Sequence, residues 1–254
     1  REGNPVGYYV PGMECKTDSG NTLILTHTDV TVPEISLHGL ISDRMIEVDW
    51  EGNIVWRWNS HEHFREYGFD NAAKNALFRN PNMTAAGGDW MHINSMSVLG
   101  PNKWYDGGDE RFHPDNIIMD GRETNIIFII SKKTGKVVWK LGPDYGTKEG
   151  RRVGQIIGQH HAHMIPKGLP GEGNIMVYDN GGWAGYTNPN EITDTGNKGI
   201  RRDNTRVLEI NPITMLTEWR CTPTEMGHLQ PFHSHYFYSP FISSAQRLPN
   251  GNTL

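Results

Sequence analysis

Cysteine is nearly absent. The 254 residues contain two, Cys15 and Cys221, too few and too far apart for a disulfide framework or a CxxC metal site; two unpaired thiols are favoured over a bond between them. A concentration of basic charge is also lacking. Lys and Arg number 24 against 29 Asp and Glu, and they are dispersed along a chain of formal net charge −5. No polybasic run is offered to nucleic acid or to an anionic membrane. Long apolar runs are missing too. Stretches such as "NIIFIIS" fall far below the roughly 18 residues that span a bilayer, so no membrane-spanning segment is expected. The first residue is Arg and the last stretch, "RLPNGNTL", reads as part of a strand. Both ends therefore read as cut, and the lack of a signal peptide says nothing about export.

What is present is the composition of a globular protein, 36% hydrophobic with 21% charged residues. A repeat runs through it. Four places combine a turn with a β-branched run: "DSGNTLIL" from Asp18, "PDNIIM" from Pro114, "GEGNIMVYD" from Gly171 and "LPNGNTL" from Leu248. Three are followed by an apolar-alternating strand, "RMIEVDW", "NIIFIISKKTG" and "RVLEINP", and then by a strand with a Trp, at Trp56, Trp139 and Trp219, 83 and 80 positions apart. Four antiparallel strands per unit, repeated around an axis, describe an all-β fold, a β-propeller. The units exceed the ~40 to 50 residues of compact blades, so insertions are expected. One is "GFDNAAKNALFRNP", where Asp70 can cap a helix ended by Pro81; another is the polar loop from Tyr186 to Asn204, read as coil. The Trp residues are expected to pack between blades. First strands are placed near Gly7 to Glu14, at Asp89 to Val98, at His160 to Ile165 and at Phe241 to Leu248. Residues 1–254 thus read as one β-propeller domain, a fragment of about three to four blades from a six-bladed ring.

The first strand of each propeller blade lies innermost, so equivalent ends converge on the axis. "GGDWMHINSMSVLG" opens the second unit and "GQHHAHMIPKG" the third. Aligned on their turns, His92, His160 and Ser243 fall near one level. On a flat strand His161 and His163 share a face that His160 does not, but several imidazoles can face one polar channel. Imidazole titrates near neutral pH and serves as nucleophile, base or ligand. Asp89 and Asn94 flank His92 as orienting partners. His163, leading into "MIP", equally suits a structural bond to a carbonyl.

"DWMHINS", "GQHHAHMIPKG…GNIMVYDNGG" and "SPFISSAQRLPNGNTL" together resemble the arylsulfotransferase family, six-bladed propellers of the bacterial periplasm and related compartments. The resemblance covers nearly the whole chain. It implies an enzyme that moves a sulfuryl group from an aryl sulfate to a phenol through a transiently sulfated histidine, without a nucleotide donor or other cofactor, in the periplasm or outside the cell. By motif, His92 and His160 become sulfuryl-binding or acid/base residues. His161 joins them as a catalytic candidate, and Asp89, Asn94, His163, Asn180, Trp183 and Arg247 as substrate-binding candidates. Two positions depart from the pattern. "DNGGWAGY" has Trp183 where the family carries an arginine, leaving Arg247 or Arg122 to substitute, and "SPFISSAQRL" lacks the nucleophilic histidine of a later inner strand, His233 and His235 preceding it.

Two other readings compete. His161 and His163 with His92 or His160 supply three imidazoles, a set suited to copper or zinc. Alternatively the propeller is non-catalytic and binds a ligand through its channel face, with aromatic insertions such as "NKWYDGGDERFHPDN" making the contacts. Donor, acceptor and oligomeric state are not encoded in any motif.

Overall fold

The protein is seen in a computed structural model that describes residues 9–17, 19–79, 87–186 and 200–254. Among the described residues, twelve strands form three antiparallel sheets of four, each with its strands in sequence order. The first holds β1 (Tyr9–Lys16), β2 (Thr22–Val30), β3 (Leu40–Val48) and β4 (Ile54–Asn59); the second β5 (Ile93–Val98), β6 (Ile117–Gly121), β7 (Ile126–Ile130) and β8 (Val137–Leu141); the third β9 (His160–Met164), β10 (Ile175–Asp179), β11 (Arg206–Ile210) and β12 (Thr217–Cys221). β1 lies against β5 and β5 against β9, so the first strands are the shared inner edge. These sheets are propeller blades.

The cores lie between blades, and strand alternation builds them. Ile117, Met119, Ile126, Phe128 and Ile130 pack towards the first blade with Leu23, Leu25 and Met45. Their neighbours Ile118, Ile127 and Ile129 pack the other way, against Ala162, Ile175, Val177 and Leu208. Because both faces of this sheet are covered, "IIFII" of β7 is apolar at every position, where a half-solvated strand would alternate. Burying each such side chain is worth ~1.5–3 kcal/mol.

The tryptophan on the fourth strand of each blade makes contacts outside its own strand. Trp139 Nε1 donates to the Pro212 carbonyl of the third blade at 2.8 Å. Lys132 of the second blade lies over Trp56 at 5.0 Å, and Arg247 over Trp219 at 5.0 Å. Two of the units also pin their turns: Asn21 Nδ2 donates to Glu47 at 2.9 Å and Asn174 Nδ2 to Glu209 at 2.7 Å. The repeated Gly-Asn is therefore a link from the second strand's entry to the third strand.

Several expectations require adjustment. Asp89 to Val98 is a strand only from Ile93. Phe241 to Leu248 is not a strand: Ile242 (φ 61°) and Ser243 (φ 96°) turn the backbone into the left-handed region, and pairing begins only at Gln246 with Leu254 and Arg247 with Thr253. Two consecutive residues of that kind cannot keep a strand's pleat. The insertion helix forms over Asn71–Arg79, capped by Asp70 Oδ1 accepting from the Ala73 amide at 2.7 Å. Pro81 and most of the 186–204 loop lie outside the described residues, as does the Cys15 side chain; Cys221 is a free thiol.

Candidate active site

The starts of β5 and β9, the ends of β2, β6 and β10 and the start of β3 all come to one end of the blades, and the histidines cluster there. His92 precedes β5 with φ 53°, a conformation few non-glycine residues adopt, and strained backbone of this kind concentrates at functional sites. It lets Nδ1 meet the carboxylate of Asp89. The His92 side chain is 46% exposed and Asp89 23%, so the pair is open to solvent on the imidazole side. The bond to Asp89 raises the His92 pKa above its ordinary value; partial burial opposes this, and the charges of Asp43 and Glu123 assist it.

His160, the first residue of β9, is held at both nitrogens. Nδ1 lies 2.7 Å from Asn180 Oδ1, and Nε2 accepts the Ile242 amide at 3.1 Å. Asn180 Nδ2 in turn donates to the carbonyls of Ser239 (2.8 Å) and Ile242 (2.7 Å). This fixes the neutral tautomer with the proton on Nδ1. Burial, aided by the nearby charges of Arg122 and His92, pushes its pKa down to about 4 against the Asn180 bond. Arg122, whose guanidinium pairs with Glu123, therefore stands close enough to act on this imidazole.

The other candidates divide. Asn94 donates to the Gln159 carbonyl at 3.2 Å, joining the two inner strands, and its Oδ1 is buried without a partner. His161 (φ 53°) bonds the Ala245 carbonyl at 3.1 Å and stacks on His163 with centroids 4.5 Å apart. Burial lowers both pKa values, that of His163 to about 4, which favours the neutral rings; His161 braces the 241–248 segment through Ala245, and His163 backs His161. Trp183 receives Arg201 over its ring at 5.2 Å. Arg247 is paired with Glu209, donates to the Gly251 carbonyl at 2.9 Å and lies on Trp219. In "DNGG", a Cβ on Gly182 would meet the Pro240 carbonyl oxygen at 1.9 Å, so the backbone crossing that supports His160 demands glycine there.

Sequence reading did not single out His27, Asp43 or Glu123. His27 and Asp43 face each other across β2 and β3, with Nε2 3.5 Å from Oδ1. The signal was available in the repeat: His27 stands at the same step from the Gly-Asn turn as Asn180 does. Also overlooked is Asp120, fully buried on β6. Its Oδ2 accepts from Ser95 Oγ at 2.9 Å and from the Ala162 amide at 2.7 Å, and burial raises its pKa to about 7. Among the described residues, no group of three or more His, Cys, Asp or Glu side chains is arranged to hold a metal ion. A cavity of about 460 Å³ beside this end, lined by Asn125, Tyr145, Gln155 and Tyr186 among others, includes none of the histidines.

Fold and site together define an all-β protein of propeller blades whose inner strands bring imidazoles to one shared end. The family model for arylsulfotransferase (ASST) matches residues 14–254, and the chain belongs to that family; it is a transferase of the aryl sulfotransferase type. No curated protein matches the chain. No helix among the described residues is long and apolar enough to cross a membrane.

Proposed function

We propose that this chain transfers a sulfuryl group from an aryl sulfate ester to a phenolic acceptor, using imidazoles at the shared end of the blades, in the periplasm or outside the cell. The observation that carries the reading is the placement of His92, backed by Asp89, and His160, backed by Asn180, on neighbouring inner strands close enough for their charges to interact. Their settings differ, and the roles follow. The Asp89 bond favours the protonated form of His92, which suits giving a proton to the departing phenolate as its bond to sulfur breaks. His160 is neutral with Nε2 occupied by an amide, so it orients the Asn180 network and presents no free lone pair. The attacking nitrogen belongs, by the family pattern, to a later inner strand, and residues 241–248 carry no histidine. Arg122 is placed to offset charge on the sulfuryl oxygens.

The test is transfer from a chromogenic aryl sulfate to a phenol by the full-length protein and its His92→Gln variant. Loss of one general acid typically costs ~10² to 10⁴-fold. A His92→Gln enzyme that folds and turns over like wild type sinks the assignment.

A further inference from the structure

Blade one carries a second imidazole–carboxylate pair that the sulfuryl-transfer reading does not use. His27, within β2, faces Asp43 of β3 in direct cross-strand register. Asp43 is buried (1% exposed) while His27 is 26% exposed. Neither Asp43 oxygen completes a hydrogen bond; the nearest donors are His27 Nε2 at 3.5 Å and the Ile93 amide. A buried carboxylate without full compensation is costly; burial pushes the Asp43 carboxyl up, and the facing His27 imidazole and the Ile93 amide pull it back down. The same blade edge carries the other pair: Ile41, two residues before Asp43, bridges in parallel to Asp89, its amide donating to the Gly88 carbonyl at 2.9 Å. That close approach excludes any side chain at Gly88, whose Cβ would meet the Gly39 carbonyl oxygen at 2.3 Å. The two pairs are thus fastened side by side by backbone.

Each pair leaves one imidazole nitrogen over. His92 uses Nδ1 on Asp89 and His27 points Nε2 at Asp43 without closing a hydrogen bond, so His92 Nε2 and His27 Nδ1 have no partner among the described residues. The His27 pKa is raised, chiefly by Asp43, with Asp89 assisting and His92 opposing. When protonated, the two imidazoles repel each other, and an anion spanning both relieves that repulsion while accepting from both free N–H groups.

We propose that His27 and His92 form a two-imidazole site for the oxygens of an aryl sulfate or sulfonate, with His27 a substrate-binding residue contributed by the first blade. The proposal deepens the sulfuryl-transfer reading and rests on it for the identity of the anion. The facing groups are Asp43, Asp89, His92, Glu123 and Arg122; the sulfonate stays ionised throughout, so binding follows the imidazoles and weakens as pH rises.

The probe is 4-toluenesulfonate, whose carbon–sulfur bond is not cleaved, titrated calorimetrically into the full-length protein at pH 6 and pH 8. Wild type should bind more tightly at pH 6. His27→Gln should bind at least about tenfold more weakly at pH 6, the scale of one lost charge-assisted hydrogen bond, and should lose much of the pH dependence; His27→Arg, which keeps a cation, should recover affinity. Binding of His27→Gln within about twofold of wild type, with an unchanged melting curve, overturns the proposal. If His27→Gln melts early, failure of a folded His27→Arg to bind overturns it instead. Absence of transfer in a wild type that binds the sulfonate through His27 refutes the enzyme reading and leaves this site standing, whereas transfer with binding indifferent to His27 refutes only the site.

Discussion

His160 and Asn180 stand 2.7 Å apart across β9 and β10, and the pair carries the crossing segment Ser239–Ile242 through three bonds to its backbone. The imidazole is consumed by this support. It should stay neutral wherever the protein is folded.

Accordingly, the ring resonances of His160 should show no titration between pH 5 and 8, since its pKa lies near 4. The unfolded chain takes up a proton near 6.5. Stability from this residue is therefore complete above about pH 6.5 and declines as pH falls towards 4. Thermal melts of His160→Gln should lose that acid-side slope, and a folded-state midpoint near 6.5 by NMR contradicts the account. Asn180→Ala should cost several kcal/mol, because it strands buried groups worth ~1–3 kcal/mol each.

For His92 the sign reverses. Asp89 raises its pKa, so the contribution to stability is fully present below about 6.5, the unfolded value, and disappears as pH rises through the folded value. Asp89→Asn should bring the His92 midpoint down and flatten the loss of stability on the alkaline side. An unchanged midpoint in that variant means the contact is absent in solution.

Gly182→Ala tests the backbone crossing. Its Cβ would need the Pro240 carbonyl to retreat from 1.9 Å, and overpacking of this kind costs ~1–3 kcal/mol. The readout beyond a lower Tm is His160: with Ile242 displaced, its ring should become titratable nearer to 6.5. A variant with wild-type Tm and a silent His160 excludes the crossing.

Arg247→Met should destabilise by about 3–5 kcal/mol, since it preserves contact with Trp219 but leaves Glu209, 7% exposed, without its cation. Arg247→Lys should recover part. If Arg247 only joins blades, the sulfonate affinity of the folded fraction stays at the wild-type level; a selective affinity loss with unchanged Tm assigns it to substrate.

The blades were legible because their signals are local and periodic: Gly-Asn turns, alternating strands and one Trp per unit. The Trp contacts with Lys132, Pro212 and Arg247 explain why the repeat survives insertions. His92 with Asp89 was readable as a pair three residues apart. The partners of His160 were not, because Asn180 and Ile242 join it only through blade packing, and pairing of Arg247 with Glu209 across 38 residues has no sequence period. His27 was passed over because it sits inside an ordinary strand pattern, where its register opposite Asp43 emerges only once β2 and β3 are aligned. The break at Ile242 and Ser243 had no glycine to announce it.

Asp120 reaches one strand on each side of it, taking Ser95 of β5 and Ala162 of β9 on the same oxygen. His92 immediately precedes the first of those strands and His160 opens the second, so a single carboxylate joins the supports of the two imidazoles. Burial raises its pKa to about 7, opposed by those same two donors, so loss of either contact should make the carboxyl still harder to ionise. A carboxylate that touches neither imidazole thus ties together the two strands on which they depend.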